Sequence, residues 1–95
     1  MNDLDYRLGR VVYSRSGRDA GRYFAVVCHL EEGFVGVADG EIRKLANPKK
    51  KRLKHLMPKP VVLEGIAQKL ENRQKVYDSE IRSALEAAGF NNRAL

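Results

Sequence analysis

The fold is decided by residues 8–30, which read LGRVVYSRSGRDAGRYFAVVCHL. Residues 8–14 are rich in valine and tyrosine, which favour the extended conformation, and they predict a strand. Residues 16–21 predict a tight turn, because their two glycines accept positive φ angles and allow close approach of the backbone. Residues 22–30 predict a second strand, and apolar side chains on both of its faces favour a central position in a sheet.

Side chains alternate between the two faces of a strand. The alternation predicts that one face of residues 22–30 carries Phe24, Val26, Cys28 and Leu30, and that the other carries Tyr23, Ala25, Val27 and His29. Cys28 and His29, the one obvious pairing of a nucleophile with a base, then project in opposite directions and form no catalytic dyad. One cysteine and two histidines 26 positions apart match no metal-ligand spacing. We therefore expect no enzyme, no metal and no cofactor.

Short strands and turns continue the pattern up to residue 60. Residues 34–38 predict a third strand, residues 41–46 a fourth, and residues 53–57 a last short strand that ends at Pro58. Asp39-Gly40 is a favoured hairpin signal between the third and fourth strands. Four or five such strands in so short a stretch predict a small antiparallel barrel, and closure is favoured because it removes exposed edges. An open sheet packed by C-terminal helices is the alternative.

The apolar period changes beyond residue 60. A helical spacing of i, i+3, i+4 and i+7 occurs twice, at Leu63, Ile66, Ala67 and Leu70 and again at Ile81, Ala84, Leu85 and Ala88. Asp78 or Ser79 is expected to cap the second helix and Gly89 to end it. Neither helix has a basic polar face, so we expect both to cover the barrel or to touch a protein partner. The predicted organisation is a barrel over residues 1–60, with a basic segment at 41–60, and a helical C-terminal extension over residues 61–95.

The chain is short and basic. Its 95 residues carry 18 Lys and Arg against 12 Asp and Glu, a formal net charge of +6. This length fits one small domain and excludes a multi-domain enzyme. The basic segment 41–60 holds eight basic side chains and one acid, Glu41, a net of +7. So dense a block indicates a polyanionic partner, of which nucleic acid is the commonest.

Residues 8–27 form a pattern of strand, basic Gly-x-x-x-Gly turn and apolar strand that resembles a KOW motif, a unit of SH3-like barrels. The turn Ser-Gly-Arg-Asp-Ala-Gly resembles that of the KOW-bearing large-subunit ribosomal protein family L-fourteen-e, and still more closely that of related short bacterial KOW proteins. A second matching piece is Ala-Asp-Gly at 38–40 followed by KKRLKHLMP at 50–58. The resemblance covers roughly residues 6–60.

This resemblance implies an RNA-binding, ribosome-associated protein of the large subunit that acts in translation. We expect it to contact ribosomal or other structured RNA through the turn, whose glycines are Gly17 and Gly21, and through the basic segment, which would lie beside the turn. The expected RNA-binding residues are Arg15, Arg18, Arg22, Arg43, Lys44, Lys49, Lys50, Lys51, Arg52, Lys54 and His55. KOW modules also bind proteins, so the alternative is a protein–protein interaction module in a transcription or ribosome-assembly complex.

Three features predict a cytoplasmic protein without a membrane or small-molecule partner. The single cysteine forms no internal disulfide, which fits a reducing compartment. The longest apolar run, residues 23–28, is far shorter than the ~18 residues of a membrane span. The N-terminal residues 1–5 are acidic and lack the apolar stretch of a secretory signal.

Overall fold

The computed structural model of the protein describes residues 6–92, so the acidic stretch 1–5 lies outside the described residues. The strands are β1 (Arg10–Ser14), β2 (Tyr23–His29), β3 (Phe34–Ala38), β4 (Lys49–Arg52) and β5 (Leu56–Val62). They form one antiparallel sheet in the order β4-β3-β2-β1-β5. A 3-10 turn (Leu53–His55) joins β4 to β5, and the helices are α1 (Glu64–Glu71) and α2 (Asp78–Ala87). The prediction of a mainly β fold with C-terminal helices is confirmed, and β2 is the central strand.

The predicted fourth and fifth strands are wrong in position. Residues 41–47 form a loop, since the carbonyl oxygen of Arg43 accepts the amides of Asp39 and Gly40 at 3.0 and 3.1 Å and closes a local turn. The fourth strand is instead the basic quartet 49–52. β5 starts at Leu56 and continues beyond Pro58 to Val62. Proline is tolerated in β5 because this strand lies at the edge of the sheet. A proline lacks the amide hydrogen, but the free edge has no neighbouring strand that would need it as a donor.

A β-bulge changes the faces of β2. The register with β3 shifts between Val26 and Cys28, which leaves Val27 as an extra residue. As a result Cys28 packs on the same side as Val27, and the predicted face of Cys28 was wrong. His29 also lies on the face opposite to the predicted one, where its Nε2 is 2.7 Å from the carbonyl oxygen of Tyr6. The two side chains still project to opposite sides of the strand.

The sheet has an apolar core on each face. One core is formed by Tyr6 and residues of the strands, and its members are Tyr6, Val12, Phe24, Val26, Val35, Val37 and Leu56. The other joins the sheet to the helices, and its members are Val11, Ala25, Val27, Ala38, Leu63, Ile66, Val76, Ile81 and Leu85. Among residues 6–92 no ladder pairs β4 with β5, so hydrogen bonds do not close the sheet into a barrel. The helices cover one face, as the alternative of a helix-packed sheet predicts.

The ends of α2 differ in part from prediction. The helix is capped at Tyr77, whose amide donates to Oε1 of Glu80 at 3.0 Å, so neither Asp78 nor Ser79 is the capping residue. The Asp78 carboxylate instead accepts the amide of Leu45 at 2.8 Å and holds the loop 41–47 against the helix. Gly89 ends α2 as predicted, with a φ of +92° that favours glycine.

Candidate nucleic-acid interface

The carboxylate of Asp19 lies within the glycine turn and is buried, since the residue is only 2% exposed. It accepts two hydrogen bonds from the Arg43 guanidinium, through Nε and Nη2, each at 3.1 Å. The ammonium of Lys51 lies 3.9 Å from Oδ2 of Asp19 and donates to the carbonyl oxygen of Ser16 at 3.2 Å. One carboxylate therefore joins the turn to the loop 41–47 and to β4.

A second buried carboxylate, that of Asp39, shapes the loop that follows β3. Its Oδ1 accepts the amides of Glu41 at 2.9 Å and Arg43 at 3.0 Å. Its Oδ2 accepts Nη2 of Arg22 at 3.0 Å, and the same Nη2 lies 3.7 Å from Oε1 of Glu41. The charges of Arg22 and Arg43 are therefore balanced within the protein.

Lys51 is an unusual member of the basic quartet, because its side chain is only 8% exposed. Burial lowers the pKa of the Lys51 ammonium below its usual value, and the neighbouring Lys49 and Arg43 lower it further. The Asp19 carboxylate opposes this shift by favouring the charged form. Lys51 thus supports the turn from within the protein, while the backbone of the quartet pairs with β3.

Alternation along β4 divides the quartet between two faces. Lys49 and Lys51 pair with Val37 and Val35 of β3, both of which belong to the sheet core. Lys50 and Arg52 project to the other side, where their charged groups lie 4.5 and 4.9 Å from the centroid of the Phe34 ring. Lys50 also forms an exposed ion pair of 2.6 Å with Glu31, which lowers the pKa of that carboxyl group.

The glycine turn and the 3-10 turn lie side by side. The amide of Arg15 donates to the carbonyl oxygen of His55 at 2.9 Å. Together with the contacts of Asp19 and Lys51, this bond confirms the prediction that the basic segment lies beside the turn. Gly17 and Gly21 have φ angles of +82° and +91°, as a tight turn requires.

Five of the predicted contact residues keep their charged groups available. They are exposed, and within residues 6–92 they make no ion pair and no side-chain hydrogen bond; they are Arg15, Arg18, Lys44, Lys49 and Lys54. His55 is half-buried and contributes its carbonyl group to the packing of the two turns. The predicted set is therefore divided into free cations, cations stacked on Phe34, and cations held by buried carboxylates.

Sequence reasoning missed Asp19 and Asp39, which organise this region. The signal was an acidic residue in an otherwise basic turn and another in an Asp-Gly pair, both of which are common for reasons of turn geometry alone. Their burial, and hence their role, depends on partners that are distant in the sequence: Arg22 lies 17 positions from Asp39, and Arg43 and Lys51 lie 24 and 32 positions from Asp19.

Other kinds of site find little support among residues 6–92. No group of three or more His, Cys, Asp or Glu side chains is placed to hold a metal ion in this part of the chain. Neither α1 nor α2 is long and apolar enough to cross a membrane, within the range that the structure describes. A groove of about 560 Å³ lies between the end of β5 and the two helices, with Ile66 and Ala84 among its lining residues.

Comparison with known proteins gives a relative that matches most of the chain. The sequence is 30% identical over 83 residues to large ribosomal subunit protein eL14 of Pyrobaculum calidifontis, and the match covers 87% of this chain and 74% of the relative. No protein-family model matches the sequence. The match agrees with the resemblance to the L-fourteen-e family seen in the turn and in the segment 50–58. The chain belongs to the eL14 family of large ribosomal subunit proteins.

Proposed function

We propose that this protein binds structured ribosomal RNA as a component or partner of the large ribosomal subunit in the cytoplasm. The observation that carries the proposal is the set of free cations around the glycine turn, namely Arg15, Arg18, Lys44, Lys49 and Lys54. Arginine and lysine bind phosphate oxygens in such positions, and the RNA backbone supplies a dense row of them. Membership of a ribosomal protein family supports the same partner.

The proposed contacts fall into two groups. Direct phosphate contacts come from the free cations, together with Lys50, Arg52 and His55 on the neighbouring surface. Arg22, Arg43 and Lys51 belong to the interface as residues that hold the turn in place, because each is bound to a carboxylate or a carbonyl group within the protein. The glycine turn and its flanking strands act as a KOW unit of an SH3-like domain in this proposal.

Recognition of RNA shape is favoured over reading of unpaired bases. Base reading needs exposed aromatic rings on which bases stack. Phe24 is fully buried, and Tyr23 packs between Tyr13 and Phe90 with ring centroids 5.3 and 4.9 Å away. These rings stabilise the fold, and the exposed Tyr77 lies at the start of α2 and not in the glycine turn. The charged turns therefore provide the contacts to folded RNA.

The protein acts without catalysis, since Cys28 and His29 lie on opposite sides of β2 and the proposed interface only needs to bind phosphates. We also propose that residues 1–60 carry the RNA interface and that the helical extension 61–95 supports it through the shared core.

A salt series with purified large-subunit ribosomal RNA tests the proposal. Each phosphate contact contributes ~0.7–0.9 to the slope of log affinity against log salt. The double variant Arg18→Gln/Lys49→Gln should flatten the slope by about 1.4–1.8 and weaken binding at ~150 mM salt by about tenfold. The matched control Arg73→Gln/Lys75→Gln removes the same charge, from +6 to +4, in the segment between the helices. This control should change the salt slope and the affinity much less. Equal effects of the two double variants would contradict the proposed interface.

The groove between β5 and the helices favours a second candidate, a protein-docking module of a transcription or ribosome-assembly complex. Its small side chains, such as Ala84 and Ala88, leave room for an apolar partner. A docking module should tolerate loss of Arg18 and Lys49 and should fail when the groove is filled. Co-sedimentation of Ala84→Trp with large subunits separates the candidates, because the RNA proposal expects it to persist.

A further inference from the structure

We infer that Asp19, an acidic residue, is a positioning residue for RNA binding, because its buried carboxylate holds the turn and the basic segment in one arrangement. The inference rests on the proposed RNA-binding function. A negative charge within a basic interface would by itself repel a polyanion. Here the negative charge favours binding, because it holds the cations in place.

Asp19 joins three segments of the chain. The residue lies in the turn, its carboxylate receives the planar fork of Arg43 from the loop 41–47, and Lys51 approaches from β4. A bidentate pair of arginine and carboxylate fixes direction as well as distance. Lys51 adds a bond to the carbonyl oxygen of Ser16 at the start of the turn. Without the carboxylate, two cations would face each other at the base of the turn.

The same three segments carry free cations. Arg18 is adjacent to Asp19, Lys44 is adjacent to Arg43, and Lys49 lies two residues before Lys51. These three free cations are therefore carried by backbone that the Asp19 cluster (Asp19, Arg43 and Lys51) fixes. Charges that are already in place lose less conformational entropy when they bind a rigid RNA surface.

Net charge and positioning predict opposite effects on RNA affinity when the Asp19 carboxylate is removed. If only charge mattered, Asp19→Asn and Glu32→Gln would both tighten RNA binding, since each removes one negative charge from the basic region. Glu32 is exposed in the loop between β2 and β3, and no side-chain contact ties it to the turn among residues 6–92. If Asp19 positions the cations, Asp19→Asn weakens binding at least threefold, whereas Glu32→Gln leaves it unchanged or tightens it.

A second pair of variants keeps the net charge constant. Arg43→Lys retains the positive charge but replaces the bidentate fork by a single ammonium group. It should weaken binding at least threefold. Lys75→Arg, a charge-conserving change at an exposed position between the helices, should leave the affinity unchanged. If Asp19→Asn fails to fold, the comparison of Arg43→Lys with its control still tests whether the Asp19 cluster positions the cations.

The experiment measures the affinity of wild type and the four variants for purified large-subunit ribosomal RNA over a salt series, with folding at the assay temperature checked by circular dichroism. Partial unfolding lowers the active fraction without changing the salt slope, but loss of positioning should flatten the slope by ~1. Binding by folded Asp19→Asn and Arg43→Lys that equals wild type would overturn the inference and leave the proposed function intact. Absence of salt-dependent binding by wild type would overturn both.

Discussion

Replacement of Gly40 by alanine tests how the helices are attached to the sheet. Gly40 has a φ of +80°, and a Cβ atom at this position would overlap the carbonyl oxygen of Asp78 at the start of α2. Its own carbonyl oxygen accepts Nη1 of Arg82 at 3.0 Å. The loop after β3 therefore approaches α2 so closely that no side chain fits between them.

The expected loss of stability has two parts. The left-handed conformation costs a residue with a Cβ atom about 1–2 kcal/mol. Relief of the overlap moves α2 away and weakens the Arg82 bond and the bond from the Leu45 amide to Asp78, which together contribute about 2–3 kcal/mol. The sum, about 3–5 kcal/mol, lowers the Tm by at least ~12 °C, because 1 kcal/mol corresponds to ~4–8 °C for a domain of this size.

Thermal unfolding followed by circular dichroism at neutral pH provides the measurement. Gly65→Ala is the matched control, since a Cβ atom at Gly65 in α1 meets nothing within 4 Å and alanine favours the helix. This control should leave the Tm unchanged or raise it by a few degrees. A Tm of Gly40→Ala within ~3 °C of wild type, less than 1 kcal/mol by the same conversion, would refute the close contact of the loop with α2.

Three further predictions concern single residues. Gly21→Val should lower the free energy of unfolding by at least about 1–2 kcal/mol in urea titrations, because the φ of +91° disfavours any β-branched residue, and it should weaken RNA binding. Hydrogen bonds from Lys69 and from the Tyr77 amide lower the pKa of Glu80. The stability that these two hydrogen bonds contribute is therefore present above pH 4.5 and is lost as the pH falls through the lowered pKa. Melting curves of Glu80→Gln should therefore show a smaller loss of Tm on acidification than those of wild type, and equal losses would contradict this. Cys28→Ser should leave the RNA affinity unchanged and cost about 1 kcal/mol in stability by urea titration, and loss of binding in a folded variant would show a functional cysteine.

Local patterns in the sequence determined the strands β1 to β3, the turn between the first two, and both helices. The reason is that alternation, helical spacing and the need for glycine at positive φ are expressed within a few neighbouring residues. The resemblance to the L-fourteen-e family likewise depended on short motifs, the turn at 16–21 and the segment 50–58. The clustering of charge at 41–60 indicated an anionic partner, because like charges in such density need a counterpart.

The division of that charge was decided by the tertiary structure alone. Lysine has little preference for strands, so nothing local indicates that residues 49–52 form β4. Pairing with β3 fixes their register, and register determines which side chains face inward: Lys51 lies opposite Val35 and becomes buried, whereas Arg52 lies opposite Phe34 and stacks on its ring. The carboxylate of Asp19 meets Arg43 across 24 positions of sequence, a separation that only folding closes. Strand register and buried carboxylates therefore decide which cations keep their charged groups free of partners within residues 6–92, and composition alone does not predict this.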